Sequence, residues 1–145
     1  MSFQIEVKIS VILHATEDSE KIFRMFFLNF GLSREVFKIE NLTGHFNNPI
    51  TIVETILKKK NSKEFLKKFF EKMKKDDFDE IYENIENKIS NSSLQIKISK
   101  QKMIQGEIVL HDTNAIKINI SCPVYIKRDT KKIYQEVLQL TNDSK

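Results

Sequence analysis

The sequence predicts a single-domain α+β protein in which a mostly antiparallel sheet carries helices on one face. Apolar and polar residues alternate through Phe3, Ile5, Val7, Ile9, Val11 and Leu13, the two-residue period of a half-buried strand. Alternation returns around Ile96 and Ile118, so strands come in groups with helical stretches between them, an α+β order. Each strand offers a single apolar face, so helices cover one side of the sheet and solvent meets the other.

The elements follow in turn. Thr16 reads as a helix cap, and the acids Glu17, Asp18 and Glu20 favour a helix N-terminus after it. Ile22, Phe23, Phe26, Phe27 and Phe30 form one apolar helix face, and Gly31 stands just past its end. Strands are expected over 36–42 and 50–57. The second of these also fits helical spacing through Ile52, Val53, Ile56 and Leu57, and its β-branched content decides for a strand. Ser62 is expected to cap a helix reaching 75, with Phe65, Leu66, Phe69, Phe70 and Met73 inward. A further helix over 77–88 turns Phe78, Ile81, Tyr82 and Ile85 inward. Strands over 94–98, 104–110 and 116–120 follow, with His111-Asp112-Thr113-Asn114 as a turn. Asp129 or Thr130 caps a last helix carrying Ile133, Val137, Leu138 and Leu140, and 141–145 is expected to fray. Residues 1–145 read as one domain, without internal repeat or linker.

Composition narrows the function classes. The chain has 145 residues, one cysteine and three histidines, so Cys122 has no disulfide partner and no Cys-based zinc site can form. His14, His45 and His111 lack the spacing of a ligand pair. Three glycines are too few for a phosphate-cradling loop, and neither a dinucleotide fingerprint nor a Walker sequence is present. No nucleophile–base pair or acid pair stands out, because Asp76 and Asp77 are explained by capping. No catalytic residue, metal or cofactor is assigned. A reduced, cytoplasmic setting without a signal peptide or membrane span is expected.

The net charge is +4, from 21 lysines and three arginines against 20 acids. Lysine meets phosphate as a point charge and lacks the fork that reads guanine, which argues against sequence-specific duplex DNA reading. Residues 58–75 hold nine lysines and two acids, whereas 76–88 hold six acids and one lysine, so the two segments offset each other. On the solvent side of the sheet the alternation places Lys8, Lys38, Lys97 and Lys117 among Gln4, Glu6, Glu40, Gln95, Ser99 and Asn119. Such groups suit phosphate and 2′-hydroxyl contacts, which recognise structured RNA by shape. A base-stacking platform is not expected, since the aromatics fall on core-facing positions, with Phe46 and Tyr125 as exceptions.

One segment is shaped by its residue choice. Gly44-His45-Phe46-Asn47-Asn48-Pro49-Ile50 gathers a glycine, a proline and two asparagines between two strands. Gly44 is expected to hold positive φ or to permit a close backbone approach. Asn47 and Asn48 tolerate left-handed geometry, and Pro49 leads into the next strand.

This block, His14-Ala15-Thr16-Glu17-Asp18 before it, and Lys100-Gln101 with Gly106-Glu107 after it, occur in an order and spacing that resemble an archaeal family of small predicted RNA-binding proteins labelled exosome subunits. The resemblance spans about residues 3–140. It departs at Asn47, where the family pattern has glycine, and at Ser99, where it has an acid. The resemblance implies a fold similar to the large-subunit ribosomal protein that binds five-S RNA. It also implies non-catalytic RNA binding as an accessory to RNA processing or degradation, with structured RNA and RNA-processing complex proteins as partners. The competing expectation is a protein-interaction or assembly module. The RNA surface is expected at Lys97, Lys100, Gln101 and Lys117, joined by Lys38 and His45. The helix within 58–75 is its rival.

Overall fold

The alternation at the start of the chain becomes β1 (Glu6–His14), which buries Val7, Ile9, Val11 and Leu13 and turns Glu6, Lys8, Ile12 and His14 the other way. The computed structural model describes residues 4–124 and 127–141, without the side chain of His45. Phe3, Tyr125 and positions 142–145 of the expected tail lie outside the described residues. Further strands are β2 (Lys38–Thr43), β3 (Pro49–Lys58), β4 (Ile89–Ser90), β5 (Ser93–Ser99) and β6 (Ala115–Ser121). Among the described residues they make one six-stranded sheet, ordered β2-β3-β1-β6-β5-β4, with every neighbouring pair antiparallel.

The helices are α1 (Ser19–Phe30), α2 (Lys59–Lys72), α3 (Lys75–Glu83), α4 (Lys100–Ile104) and α5 (Thr130–Thr141). Their apolar residues and the inward sheet residues form one core cluster. A chain of rings runs through it. Phe23 and Phe26 meet Phe37 ahead of β2, Phe26 meets Phe30, and Phe30 meets Phe65 of α2. Phe65, Phe69, Phe70, Phe78 and Tyr82 continue it into α3. Such pairs each add ~0.5–1.5 kcal/mol beyond their burial.

Several boundaries differ from expectation, each for a local reason. Asp18, not Thr16, caps α1 by accepting the Glu20 N–H, while Gly31 ends the helix at φ 70° as expected. Phe27 is exposed rather than on the buried face. Arg34–Val36 form a short 3-10 turn, so β2 begins at Lys38. Ser62 is not a cap: α2 starts at Lys59, and the buried Ser62 hydroxyl bonds the Ile5 and Lys59 carbonyls. Helix α3 ends at Glu83 and a 3-10 turn takes over. Thr141 is no frayed residue, since it is buried and its hydroxyl donates to the Val137 carbonyl.

The largest correction is the strand expected over 104–110. Ser99 caps α4 there by accepting the Lys102 N–H, and Gly106 at φ 86° ends that helical turn. Among the described residues the segment keeps isolated bridges, from Ile108 to Met73 and from Leu110 to Ile98, the latter flanked by backbone bonds from Ser99 to Val109 and from His111 to Lys97. The cap also explains the departure at position 99, because serine and aspartate serve equally as N-caps.

Lys100 opens α4 and is 4% exposed. Its Nζ donates to the Ile12 carbonyl at 2.7 Å, to Glu17 Oε1 at 2.9 Å and to Asn114 Oδ1 at 3.0 Å. These three bonds match the ammonium's three donors. The same Glu17 oxygen accepts the His14 N–H at 2.8 Å. Burial raises the Glu17 pKa, but the His14 N–H and the Lys100 ammonium outweigh it, and the net shift is downward.

The turn between β2 and β3 is also resolved. Positive φ falls on Phe46 (54°) and Asn47 (61°), not on Gly44. Gly44 supplies close approach instead: its N–H donates to the Asn48 carbonyl at 2.6 Å, and a Cβ would lie 3.2 Å from that oxygen and from Ile50 Cγ2. Gly44→Ala should therefore destabilise by about 1–2 kcal/mol through crowding, and Asn47→Gly should cost nothing in urea melts. A fully stable Gly44→Ala protein would contradict the crowding.

Lys100→Met should cost about 2–4 kcal/mol, because it strands a carbonyl and a half-buried carboxylate. Since the folded Glu17 pKa is depressed, its contribution is present above the ordinary glutamate range and is lost as pH falls through the folded pKa. The stability gap between the parent and Glu17→Gln should accordingly narrow in acid melts. A gap that is constant with pH would refute the ion pair's role.

Candidate nucleic-acid interface

Strand register builds the sheet face opposite the helices. Lys38, Glu54, Ser10, Lys117 and Lys97 stand side by side across β2, β3, β1, β6 and β5. On the β1–β3 side the charges answer each other, with Lys8 Nζ 3.2 Å from Glu54. On the β5–β6 side they do not. Lys97 and Lys117 are direct cross-strand neighbours, and neither makes an ion pair among the described residues. Like charges directly opposite each other repel.

Polar partners surround this pair. Gln95 faces Asn119 and Ser93 faces Ser121 in the next rows, the serine hydroxyls lying 2.8 Å apart. Lys97 also separates two shallow grooves. One, of about 260 Å³, is lined by Ser10, His14, Asn114 and Lys117, and the other, of about 180 Å³, by Lys88, Gln95 and Leu110. Asp112 borders both.

The β1–β3 half of the same face, beside its charged residues, carries an aliphatic cluster. Ile12 pairs with Ile52, Leu42 with Ile50, and Lys8 with Ile56. Ile12, Leu42 and Ile56 are exposed, the last at 56%. Sequence reasoning missed this half, although the signal was present: Ile50, Ile52 and Ile56 occupy the phase opposite the buried Val53 and Leu57.

The expected RNA-surface residues are only partly brought together. Lys97 and Lys117 meet. Lys38 shares their row but lies four strand spacings from Lys97, about 19 Å. Lys100 leaves the set, because its ammonium is buried and all its donors are engaged. Gln101 is exposed on α4, off the sheet, and the backbone of His45 opens the short turn past β2. None of the described outward-facing strand residues is aromatic, while the exposed Phe27 and Phe46 lie on α1 and in that turn. On the rival helix, Lys68 lies against Gly31 at the end of α1.

Other reactive groups are accounted for locally. The His111 ring sits 3.3 Å from the Thr113 hydroxyl, and His14 is exposed, with its backbone bonded to Glu17. Burial pushes the Cys122 thiol up. The fully buried Tyr134 donates its hydroxyl to the Ser92 carbonyl and accepts the Cys122 N–H. Among the described residues no group of three or more His, Cys, Asp and Glu could hold a metal ion, and no helix is long and apolar enough to cross a membrane.

Solved archaeal proteins share this architecture. Protein AF2318 from Archaeoglobus fulgidus is 26% identical, with a TM-score of 0.79 over 94% of this chain and 99% of its own. Protein SSO0741 from Sulfolobus solfataricus is 27% identical, with a TM-score of 0.76 over 97% of this chain and 99% of its own. Both are described as DUF54 proteins. The RNA-binding protein PAB1135 of Pyrococcus abyssi is 29% identical over 108 residues, 70% of each chain. A family model described as RNA binding matches residues 6–122, from the first residue of β1 to just past β6, and this chain belongs to that RNA-binding family.

Proposed function

We propose that the chain binds structured RNA without cutting it, through the β5–β6 half of the open sheet face. The observation that carries this is the Lys97–Lys117 pair, two cations held opposite each other without an ion-pair partner among the described residues. A phosphate between them relieves the repulsion. Gln95, Asn119, Ser93 and Ser121 add donors and acceptors suited to 2′-hydroxyls. Lys38 extends the row, while His45 and Gln101 stand at the periphery. Non-catalytic binding accords with a His111 ring and a Tyr134 hydroxyl that are already bonded and a cysteine whose thiolate is disfavoured by burial. A place as an accessory to RNA processing or degradation accords with the exosome label of the resembling family. The fold that the family resemblance implies, similar to the ribosomal protein that binds five-S RNA, accords with duplex or folded RNA as the target.

The apolar half of the face favours a second reading, contact with a protein of an RNA-processing assembly. Exposed Ile12, Leu42 and Ile56 suit such a partner and not phosphate.

Lys97→Ala combined with Lys117→Ala should weaken binding to a labelled RNA hairpin and lower the salt slope by roughly 2 units, near one per phosphate contact. The helix pair Lys67→Ala with Lys72→Ala should bind as the parent does, and the RNA should stay intact with magnesium present. Loss confined to the helix pair, or cleavage that one substitution abolishes, would overturn the proposal. For the protein contact, Ile12→Lys with Ile52→Lys should keep hairpin binding but lose proteins that co-purify with the tagged chain. A co-purifying set unchanged by this variant would end the second reading.

A further inference from the structure

The foot of the sheet holds a groove of about 820 Å³. Its floor is apolar, from Ile5, Cys122 and Pro123, and its rim carries Lys58, Lys59, Lys60 and Lys63. The two acids beside them are already engaged. Glu6 lies 3.6 Å from Lys58, and Glu64 lies 3.8 Å from Lys60. Lys59 and Lys63 make no ion pair among the described residues, and the first turn of α2 holds no acid. An apolar floor under a cationic rim suits one nucleotide, with its base against the floor and its phosphate at the lysines.

The groove continues the polar half of the sheet face. Ser121, four residues along β6 from Lys117, lines it, a distance of about 13 Å along the strand. Asn119 and Gln95 fill the row between, and Ser93 pairs with Ser121. A polar track thus runs down the β5–β6 hairpin from the lysine pair into the groove.

We propose that this groove takes an unpaired nucleotide of the same RNA whose folded part lies on Lys97 and Lys117, so that the protein recognises a junction between structured and single-stranded RNA. The inference rests on the sheet-face reading for the folded part, and adds a second site with a different ligand requirement.

The test compares two RNA hairpins of about 20 nucleotides, one blunt and one with a short single-stranded extension. The parent should bind the extended hairpin roughly tenfold more tightly, since two lysine–phosphate contacts are added. Lys59→Ala with Lys63→Ala should abolish that gain, leave blunt-hairpin binding unchanged, and lower the salt slope on the extended RNA by about 0.7, the value for one single-strand phosphate. Both substitutions are on the surface, and a thermal melt confirms the fold. Lys97→Ala with Lys117→Ala should weaken both hairpins and keep the ratio between them. An extension that adds nothing to the parent, or a gain that survives in the groove variant, overturns the inference while the sheet-face reading stands. Blunt-hairpin binding that survives loss of Lys97 and Lys117 fails the sheet-face reading and with it the junction geometry, while the ratio between the hairpins still reads the groove by itself. A parent that binds neither hairpin overturns both.

Discussion

One buried ammonium organises the end of the sheet on which the outer face depends. Lys100 bonds a carbonyl at the end of β1, a carboxylate in the turn after it, and an amide in the turn before β6. Ile12 lies on β1 and Asn114 immediately precedes β6, the two central strands of the sheet, which are far apart in sequence. Removing such an ion from water is unfavourable unless every donor is matched, and here every donor is. The arrangement fixes where β1 ends, where α4 begins and how β6 starts. Two of the sequence blocks that resemble the archaeal family, the one with Glu17 and the one with Lys100, are therefore halves of a single contact. Their role is structural, which is why a lysine that looked like a phosphate ligand is absent from the surface.

The outer face is divided because its strands are in different electrostatic situations. Glu54 lies between Lys8, Lys38 and Ser10, so cations on that side find an acid. On β5 and β6 the register brings lysine to lysine and amide to amide. On β1 and β3 the same phase adds an aliphatic cluster, Ile12, Ile50, Ile52 and Ile56, beside these charges. The helices bury the opposite phase of β1, β5 and β6, so this division is presented to solvent.

Much of the fold was legible in the sequence, since period-two alternation is a local signal and burial follows it. β1, β5 and β6 lie where the alternation placed them, and Gly31 ends α1 as its residue type requires. The failures arise where long-range partners decide. Residues 104–110 have strand composition, but the Ser99 cap and Gly106 divert the chain into a helical turn. Ser62 looked like a cap because serine favours that position, yet its hydroxyl serves a carbonyl of the neighbouring strand. The candidate face was half legible. Lys97 and Lys117 follow from phase alone, whereas their pairing depends on register, which no single strand encodes. The burial of Lys100 depends on three acceptors from distant segments, and no local pattern announces it.

Tyr134 gives the molecule a built-in reporter. The chain has no tryptophan and three tyrosines, and Tyr134 is fully buried, tying α5 to the Ser92 carbonyl and the Cys122 amide. Its ring leaves that apolar enclosure only if the last helix lifts from the β5–β6 hairpin. The Tyr134 share of the ultraviolet absorption and emission therefore follows the docking of α5, which a Tyr134→Phe protein isolates by difference from the other two tyrosines.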